Sequence, residues 1–252
     1  MVIKLSDQIQ QLADYIDQAD KIVFFGGAGV STDSGLPDYR SKDGRYTAME
    51  NDGKDPKKVM HIKYILEHPK QFFKRRNKVV GIQPNPSHYS LVELEKMGKE
   101  VHIVTQNVDS LHQKAGSSSV YELHGSNRTW YCMSCGHVEK QDDVVWENEL
   151  PTCQIDGGLM RPNVVYFGEK LDWDLINHVR ELIAEADLLI IAGTSLTVSP
   201  AKRLVDAFKG NHAVVINKEP IDTKNLSIDL NFDTSISEIM TNAVELLKKG
   251  DR

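Results

Sequence analysis

Cysteine is scarce in this chain: Cys132, Cys135 and Cys153 are the only three among 252 residues. An odd, clustered set without an export signal argues against a disulfide framework and for a reduced compartment. Long apolar runs are missing too, so no segment reaches the length of a membrane span. The opening MVIKLSDQIQ has neither the basic start nor the apolar core of a signal peptide. An excess of positive charge is absent, because the formal net charge is −6, and a nucleic-acid footprint is not expected. Internal repeats and low-complexity tracts are lacking as well. What remains is an ordinary globular composition, 40% hydrophobic and 26% charged. The length suits one large domain, or one domain with a small inserted module. A cytoplasmic protein that engages neither membrane nor nucleic acid is expected.

The apolar residues fall into alternating patterns. Ile9, Leu12, Ala13 and Ile16 follow helical spacing, with Ser6 before them as the N-cap. Ile22-Val23-Phe24-Phe25 is a short apolar run ending in glycines, which reads as a buried parallel strand entering a ligand loop. Further strands are expected at 101–105, 188–192 and 213–217, and helices at 89–97, 175–186, 201–208 and 236–247. This alternation predicts an α/β fold with a Rossmann-like, doubly wound parallel sheet. Ligands of such sheets sit outside the carboxyl ends of the strands. The loop after Gly26, residues 105–109, residues 193–195 and Asn217 all fall at that edge. Two stretches interrupt the pattern. Residues 41–84 are polar and partly helical, and residues 126–162 hold all three cysteines. They are expected to form a small inserted lobe, a helical segment plus a zinc-ribbon-like module. Residues 1–40, 85–125 and 163–252 would make the larger domain.

The glycine-rich segment reads Gly26-Gly27-Ala28-Gly29-Val30-Ser31-Thr32-Asp33-Ser34-Gly35. Glycines let the backbone approach a pyrophosphate, and a following helix N-terminus offers it free N–H groups. The fingerprint of hydride-transfer enzymes fits only in part, because Thr32 stands where the third glycine belongs. No apolar strand ending in an acid follows to bind a ribose. The loop therefore suggests a nucleotide but argues against an ordinary dehydrogenase. A tight turn without a ligand is the simpler reading, and four glycines with three hydroxyl residues in so short a span count against it.

The segments Gly27-Ala28-Gly29-Val30-Ser31 and Ser34-Gly35-Leu36-Pro37-Asp38-Tyr39-Arg40 resemble the opening motif of the sirtuins, the NAD-dependent protein lysine deacylases. Further matches follow in order: Thr105-Gln106-Asn107-Val108-Asp109 with Leu111-His112, then Glu122-Leu123-His124-Gly125. Arg161-Pro162-Asn163-Val164-Val165-Tyr166-Phe167-Gly168-Glu169 and Gly193-Thr194-Ser195 complete the set. The resemblance implies NAD as a consumed co-substrate. The acyl-lysine carbonyl oxygen attacks C1′ of the nicotinamide ribose, nicotinamide leaves, and a histidine base activates a ribose hydroxyl that takes the acyl group. It implies His124 as that base, a task suited to a group titrating near neutrality. Asn107 and Asp109 would line the nicotinamide pocket, where an amide and a carboxylate match the donors and acceptors of a carboxamide. Gln106 and Val108 would lie against the ribose side. Gly27, Ala28, Gly29, Thr32, Asp38, Tyr39 and Arg40 would hold the cofactor from the first loop. Gly193, Thr194, Ser195, Asn217 and Lys218 would hold the adenosine half. Val164, Val165, Tyr166 and Phe167 would lie beside an extended acyl-lysine peptide and wall its side-chain tunnel.

Cys132-Met133-Ser134-Cys135 is a C-x-x-C knuckle, and Cys153 follows after 17 residues. Asp156 then stands where a fourth cysteine belongs. The sirtuin pattern has four cysteines, so this chain departs from it. Zinc accepts carboxylate oxygen, and a structural Cys132, Cys135, Cys153, Asp156 site is the favoured reading. His137 is a second candidate for the fourth ligand, and a knuckle without metal is a third reading.

Phe73-Lys74-Arg75-Arg76 occupies the stretch where some sirtuins carry a Tyr-x-x-Arg pair for succinyl or malonyl groups. Arg76 is a candidate carboxylate clamp. Phe73 lacks the tyrosine hydroxyl, and a plain basic helix face accounts for the cations more simply. Deacetylation is therefore the leading expectation. An acidic-acyl preference and mono-ADP-ribosyl transfer are the alternatives. The short polar termini fit a prokaryotic enzyme.

Overall fold

Runs such as Ile22–Phe25 alternate their side chains between two faces, and here both faces are covered. In the computed structural model, which describes residues 4–75, 81–223 and 225–250, Ile22 and Phe24 enter one apolar cluster, and Val23 and Phe25 enter another. Burial on both sides is what a parallel sheet requires.

In chain order the strands are β1 (Lys21–Gly26), β2 (Glu100–Thr105), β3 (Val120–Glu122), β4 (Gly125–Cys132), β5 (Val138–Lys140) and β6 (Val145–Glu147). They continue with β7 (Leu150–Thr152), β8 (Met160–Val164), β9 (Leu188–Ala192), β10 (His212–Ile216) and β11 (Leu230–Phe232). The helices are α1 (Leu5–Gln18), α2 (Arg45–Asn51), α3 (Pro56–Val59), α4 (Ile62–Glu67) and α5 (Pro69–Arg75). After them come α6 (Pro86–Lys96), α7 (Leu111–Ala115), α8 (Trp173–Glu185), α9 (Ala201–Leu204) and α10 (Ile236–Gly250).

The main sheet runs β11-β10-β9-β1-β2-β3, with every pairing parallel. The chain winds outward from β1 in one direction, returns, and winds outward from β9 in the other. That reversal makes β1/β9 the topological switch point of a Rossmann-like fold. Helices α1, α6 and α10 cover one face through Ile9, Leu12, Ile16, Leu91, Leu94, Ile239 and Met240. Helices α8 and α9 cover the other through Ile176, Val179, Ile183 and Leu204.

A second, antiparallel sheet has the order β5-β4-β8, and β6 and β7 form a hairpin beside it. Its core is separate from the other two. Ile65, Phe72 and Phe73 from the helical segment pack there with Trp130, Cys132, Cys153, Met160 and Tyr166.

Several boundaries differ from the sequence reading. Helix α1 begins at Leu5 with Lys4 at the cap position and no side-chain cap. Ser6 sits inside the first turn with its hydroxyl on Asp7 at 3.2 Å. The apolar stripe, not a cap, fixes this helix. Helix α6 begins three residues earlier than expected, because the Asn85 side chain accepts from Ser87 N–H at 3.0 Å and Pro86 supplies a preset first turn. The helix expected over 201–208 is one α-turn followed by a 3-10 turn, Val205–Ala207. Strands β3 and β11 were not expected at all. Among the described residues no helix is long and apolar enough to cross a membrane.

Candidate active site

Loops leaving β1, β2, β9 and β10 meet at the switch point. The β1 and β9 loops touch backbone to backbone. Gly27 N–H donates to the Ala192 carbonyl at 3.0 Å, and Gly29 N–H donates to the Gly193 carbonyl at 2.8 Å. A Cβ on Gly27 would lie 2.6 Å from the Gly193 oxygen, and one on Gly29 would lie 2.7 Å from the Gly193 Cα. These glycines are required by close approach. The helix that follows is a 3-10 helix, Ala28–Ser34.

The crevice opens into a cavity of about 1310 Å³. From the first loop it takes Ala28, Gly29, Thr32, Asp38, Tyr39 and Arg40. Gln106, Asn107, Val108 and His124 line it from the β2 and β3 ends. Gly193, Thr194, Ser195, Asn217 and Lys218 line it from β9 and β10, and Val164, Val165, Tyr166 and Phe167 form a wall. Gly27 and Asp109 do not line it; they support residues that do. Arg76 lies outside the described residues.

Hydrogen bonds fix the polar members. The Asn107 amide donates to the Gly27 carbonyl and to Ser31 Oγ, both at 3.1 Å, and Ser31 Oγ donates to Asp109 Oδ2 at 2.7 Å. Asp109 Oδ1 accepts from Leu111 N–H at 3.0 Å. Burial raises the Asp109 carboxyl above its ordinary range, and these bonds, with the charge of Arg45, only partly offset that. Gln106 Nε2 donates to Thr194 Oγ1 at 3.1 Å, tying the β2 and β9 loops together. Arg40 donates to Ser195 Oγ at 3.1 Å. The Asp38 carboxylate accepts from the N–H groups of Arg40 and Ser41 at 3.1 and 2.9 Å. It shapes its own loop.

His124 follows β3. Its Nδ1 lies 3.0 Å from the Gln106 carbonyl. A carbonyl accepts only, so Nδ1 carries the proton and Nε2 holds the lone pair. Burial lowers the imidazole pKa, opposed by the Gln106 carbonyl, and the net direction is down. The ring is therefore a neutral base at physiological pH.

Five residues that matter here are given no role by the sequence. Ser31 joins Asn107 to Asp109, and Thr105 Oγ1 accepts from Asn107 N–H at 3.0 Å. Arg45 lines the cavity. The last two flank the Val164–Phe167 wall: Arg161 grips Glu169 with both terminal nitrogens, at 2.6 and 2.9 Å. Arg161 also donates to the Val164 carbonyl at 2.5 Å, and Glu169 accepts from Tyr166 N–H at 2.9 Å. Two charges at opposite ends of an apolar segment were the available signal. Burial pushes the Glu169 carboxyl up, but the bonds from Arg161 and Tyr166 outweigh it and leave it lowered. Glu169→Gln strands a cation that is nearly buried, and should cost about 3 kcal/mol of unfolding free energy. Arg161→Met leaves no buried cation and should cost less. Denaturant unfolding of the two variants checks the order, and equal costs would contradict this account.

The Sir2 family model matches residues 27–200, the span that carries these loops. The chain belongs to the Sir2 family. Among its relatives, a protein of Clostridium acetobutylicum named NAD-dependent protein deacetylase is 41% identical over 244 residues, covering 95% of this chain and 99% of the relative. A Fusobacterium nucleatum protein of the same name is 38% identical, covering 98% and 95%. Among solved structures, a Sir2 homologue–NAD complex superposes with a TM-score of 0.83 at 33% identity, covering 95% of this chain and 94% of the other. A complex of Sir2 with p53 peptide and NAD+ superposes at 0.80 with 30% identity, covering 96% and 98%.

This Sir2 chain also carries a compact donor cluster in its smaller sheet. The ligand atoms of Cys132, Cys135, Cys153 and Asp156 all lie within 4.8 Å of one another. Two turns of equal length present them. Cys132–Cys135 precedes Gly136 at φ +74°, and Cys153–Asp156 precedes Gly157 at φ +72°. Each first sulfur accepts from a backbone N–H two residues on, Ser134 and Ile155, both at 3.4 Å. Asp156 thus occupies the fourth corner by position in the turn as well as by sequence. Zn–S bonds of about 2.3 Å at tetrahedral angles set two sulfurs about 3.8 Å apart. Cys135 and Cys153 are 3.8 Å apart, and Asp156 Oδ1 is 3.3 Å from Cys132 Sγ. The set fits zinc. His137 turns instead to Glu139, at 3.0 Å.

Proposed function

We propose that this protein removes acyl groups, acetyl foremost, from protein lysines and consumes NAD in doing so, releasing nicotinamide and O-acyl-ADP-ribose. The observation that carries the reading is His124: a neutral base in the same cavity as the glycine crevice, the Asn107 amide and an apolar wall. NAD supplies the electrophilic ribose carbon and the acceptor hydroxyl. The residues supply the rest. Gly27, Gly29 and Gly193 let the backbone approach a pyrophosphate, with Arg40, Thr194, Ser195, Asn217 and Lys218 around the adenosine half. Asn107 takes the carboxamide side, with Asp109 behind it holding Ser31. His124 Nε2 accepts the hydroxyl proton, and the Gln106 carbonyl steadies the imidazolium that results. The peptide lies along Val164–Phe167, between a large lobe of residues 1–40, 85–125 and 163–252 and a small lobe of 41–84 and 126–162.

The substrate's acyl group is neutral and small or apolar. Phe73, at the place of a carboxylate-binding tyrosine, is buried against Trp130 and Trp146 with ring centroids at 6.0 and 5.7 Å. The neighbour that reaches the cavity is Phe72, with Val59, Met60 and Tyr166 around it. Such a surface favours a methyl over a carboxylate. In this reading the protein works in a reduced cytoplasm; three cysteines outside any disulfide support it.

Nicotinamide release measured with and without an acetyl-lysine peptide tests the reading. Release that requires the peptide and yields an acyl-ADP-ribose is expected. ADP-ribose attached to protein without any acyl peptide would replace it with a transferase reading.

A further inference from the structure

Arg45 opens α2 and faces the cavity that Asn107, Val108 and His124 line. Its backbone is anchored, N–H to the Asp38 carbonyl at 2.8 Å. Its side chain is not: Nε is buried and has no hydrogen-bond partner. A buried guanidinium N–H without an acceptor is costly, and in native proteins such a donor usually meets a ligand or water. The Arg45 charge also reaches Asp109, drawing that buried carboxyl downward. Yet none of the described ion pairs includes Arg45. The carboxylate is occupied elsewhere, by Ser31 and Leu111.

An unmet donor on the cavity wall, with a buried carboxylate behind that wall, suits a group that is neutral and can accept. A carboxamide is such a group: its oxygen accepts and its nitrogen donates. A carboxylate in its place would be repelled by Asp109, and an alkyl group would leave the Arg45 donor unmet.

We propose that Arg45 is a nicotinamide-recognising residue of this chain, its unmet Nε–H donating to the carboxamide oxygen. The inference rests on the NAD-cleaving reading given above. It makes Arg45 a determinant of product inhibition, because free nicotinamide returning to the site meets the same donor.

The test is the nicotinamide concentration that half-inhibits deacetylation, together with exchange of labelled nicotinamide into NAD, in wild type, Arg45→Leu and Arg45→Lys. Loss of one charge-assisted hydrogen bond should raise the half-inhibitory concentration about tenfold or more in Arg45→Leu. Arg45→Lys, which keeps a cationic donor, should recover part of it. A purely structural role would lower the thermal midpoint and turnover without shifting nicotinamide sensitivity. A second measurement needs no variant. In wild type, 3-acetylpyridine, which keeps the carbonyl, should inhibit about tenfold more strongly than 3-ethylpyridine, which lacks it. Unchanged nicotinamide sensitivity in an active Arg45→Leu chain overturns the role of Arg45, as does equal inhibition by the two pyridines. Absence of peptide-dependent nicotinamide release from wild type would overturn the NAD-cleaving reading itself.

Discussion

Replacing His124 by alanine should lower formation of O-acyl-ADP-ribose by about 10²–10⁴-fold, the usual worth of a positioned general base. The effect should be selective. Attack of the acyl oxygen on the ribose carbon needs no base, so exchange of labelled nicotinamide into NAD should persist in His124→Ala at a similar rate. The geometry requires this split. Nδ1 is committed to the Gln106 carbonyl at 3.0 Å, so only Nε2 remains to take a proton. The His124 backbone is also engaged, its carbonyl accepting from Val165 N–H at 2.9 Å. That bond ties the base to the strand-like wall where the acyl-lysine would lie, and fixes one relative to the other. A joint loss of exchange and deacylation would assign His124 to binding instead. The pH profile carries a second sign. The base acts in its neutral form, so activity falls as pH drops through its pKa. Burial lowers that pKa below the ordinary imidazole value. The acid limb of kcat/KM should therefore lie below about pH 6.5, and a limb above that value would contradict the burial argument.

How far such roles were legible differs from residue to residue. The central strands were plain, because β1 and β9 are buried on both faces and leave unbroken apolar runs with a glycine at the end. Strands β3 and β11 were not. Each has three residues, and Val120–Glu122 is paired on one side only, by β2. A run that short carries no periodicity. Helix α6 was seen from its apolar stripe but not from its cap, since Asn85-Pro86 reads equally as a turn. Asn107 and His124 were found through their motifs. Ser31 stood in plain view inside the glycine loop, yet its partners are Asn107 and Asp109, 76 and 78 residues away. Arg45 is the extreme case. It lies in a polar stretch where an arginine on a surface is the default expectation. Only the fold brings that side chain to the cavity that the β2 loop also lines. Local pattern thus reveals the elements and the motif-borne groups, while groups whose meaning comes from distant neighbours stay hidden until the chain is closed.

Removing zinc with a chelator should lower the thermal midpoint and loosen the smaller sheet before the larger one. Cys132 and Cys153 are buried in the same apolar cluster as Trp130, Met160 and Tyr166, so the donor cluster and that core stand or fall together. Structural zinc in small domains contributes about 10–16 kcal/mol of apparent binding energy, more than a three-stranded sheet with one hairpin holds by itself. The fourth corner decides how firmly the ion stays. A carboxylate oxygen is a harder donor than thiolate. Asp156→Cys should therefore slow zinc release to a chelator, and Asp156→Ala should speed it, each by about tenfold or more. Room for the exchange is tight on one side, where a Cβ on Gly158 would lie 2.7 Å from Cys132 Sγ and 3.0 Å from Asp156 Oδ1. Zinc bound by this cluster would therefore sit beside the bare backbone of Gly158. His137→Ala should leave release unchanged, because its ring is turned to Glu139. Zinc release followed with a metal-sensitive dye, beside one-zinc-per-chain elemental analysis, distinguishes these outcomes without any assay of turnover. If Asp156→Ala held zinc as tightly as wild type while His137→Ala lost it, the fourth ligand would be the histidine, and the second turn would serve only to present Cys153.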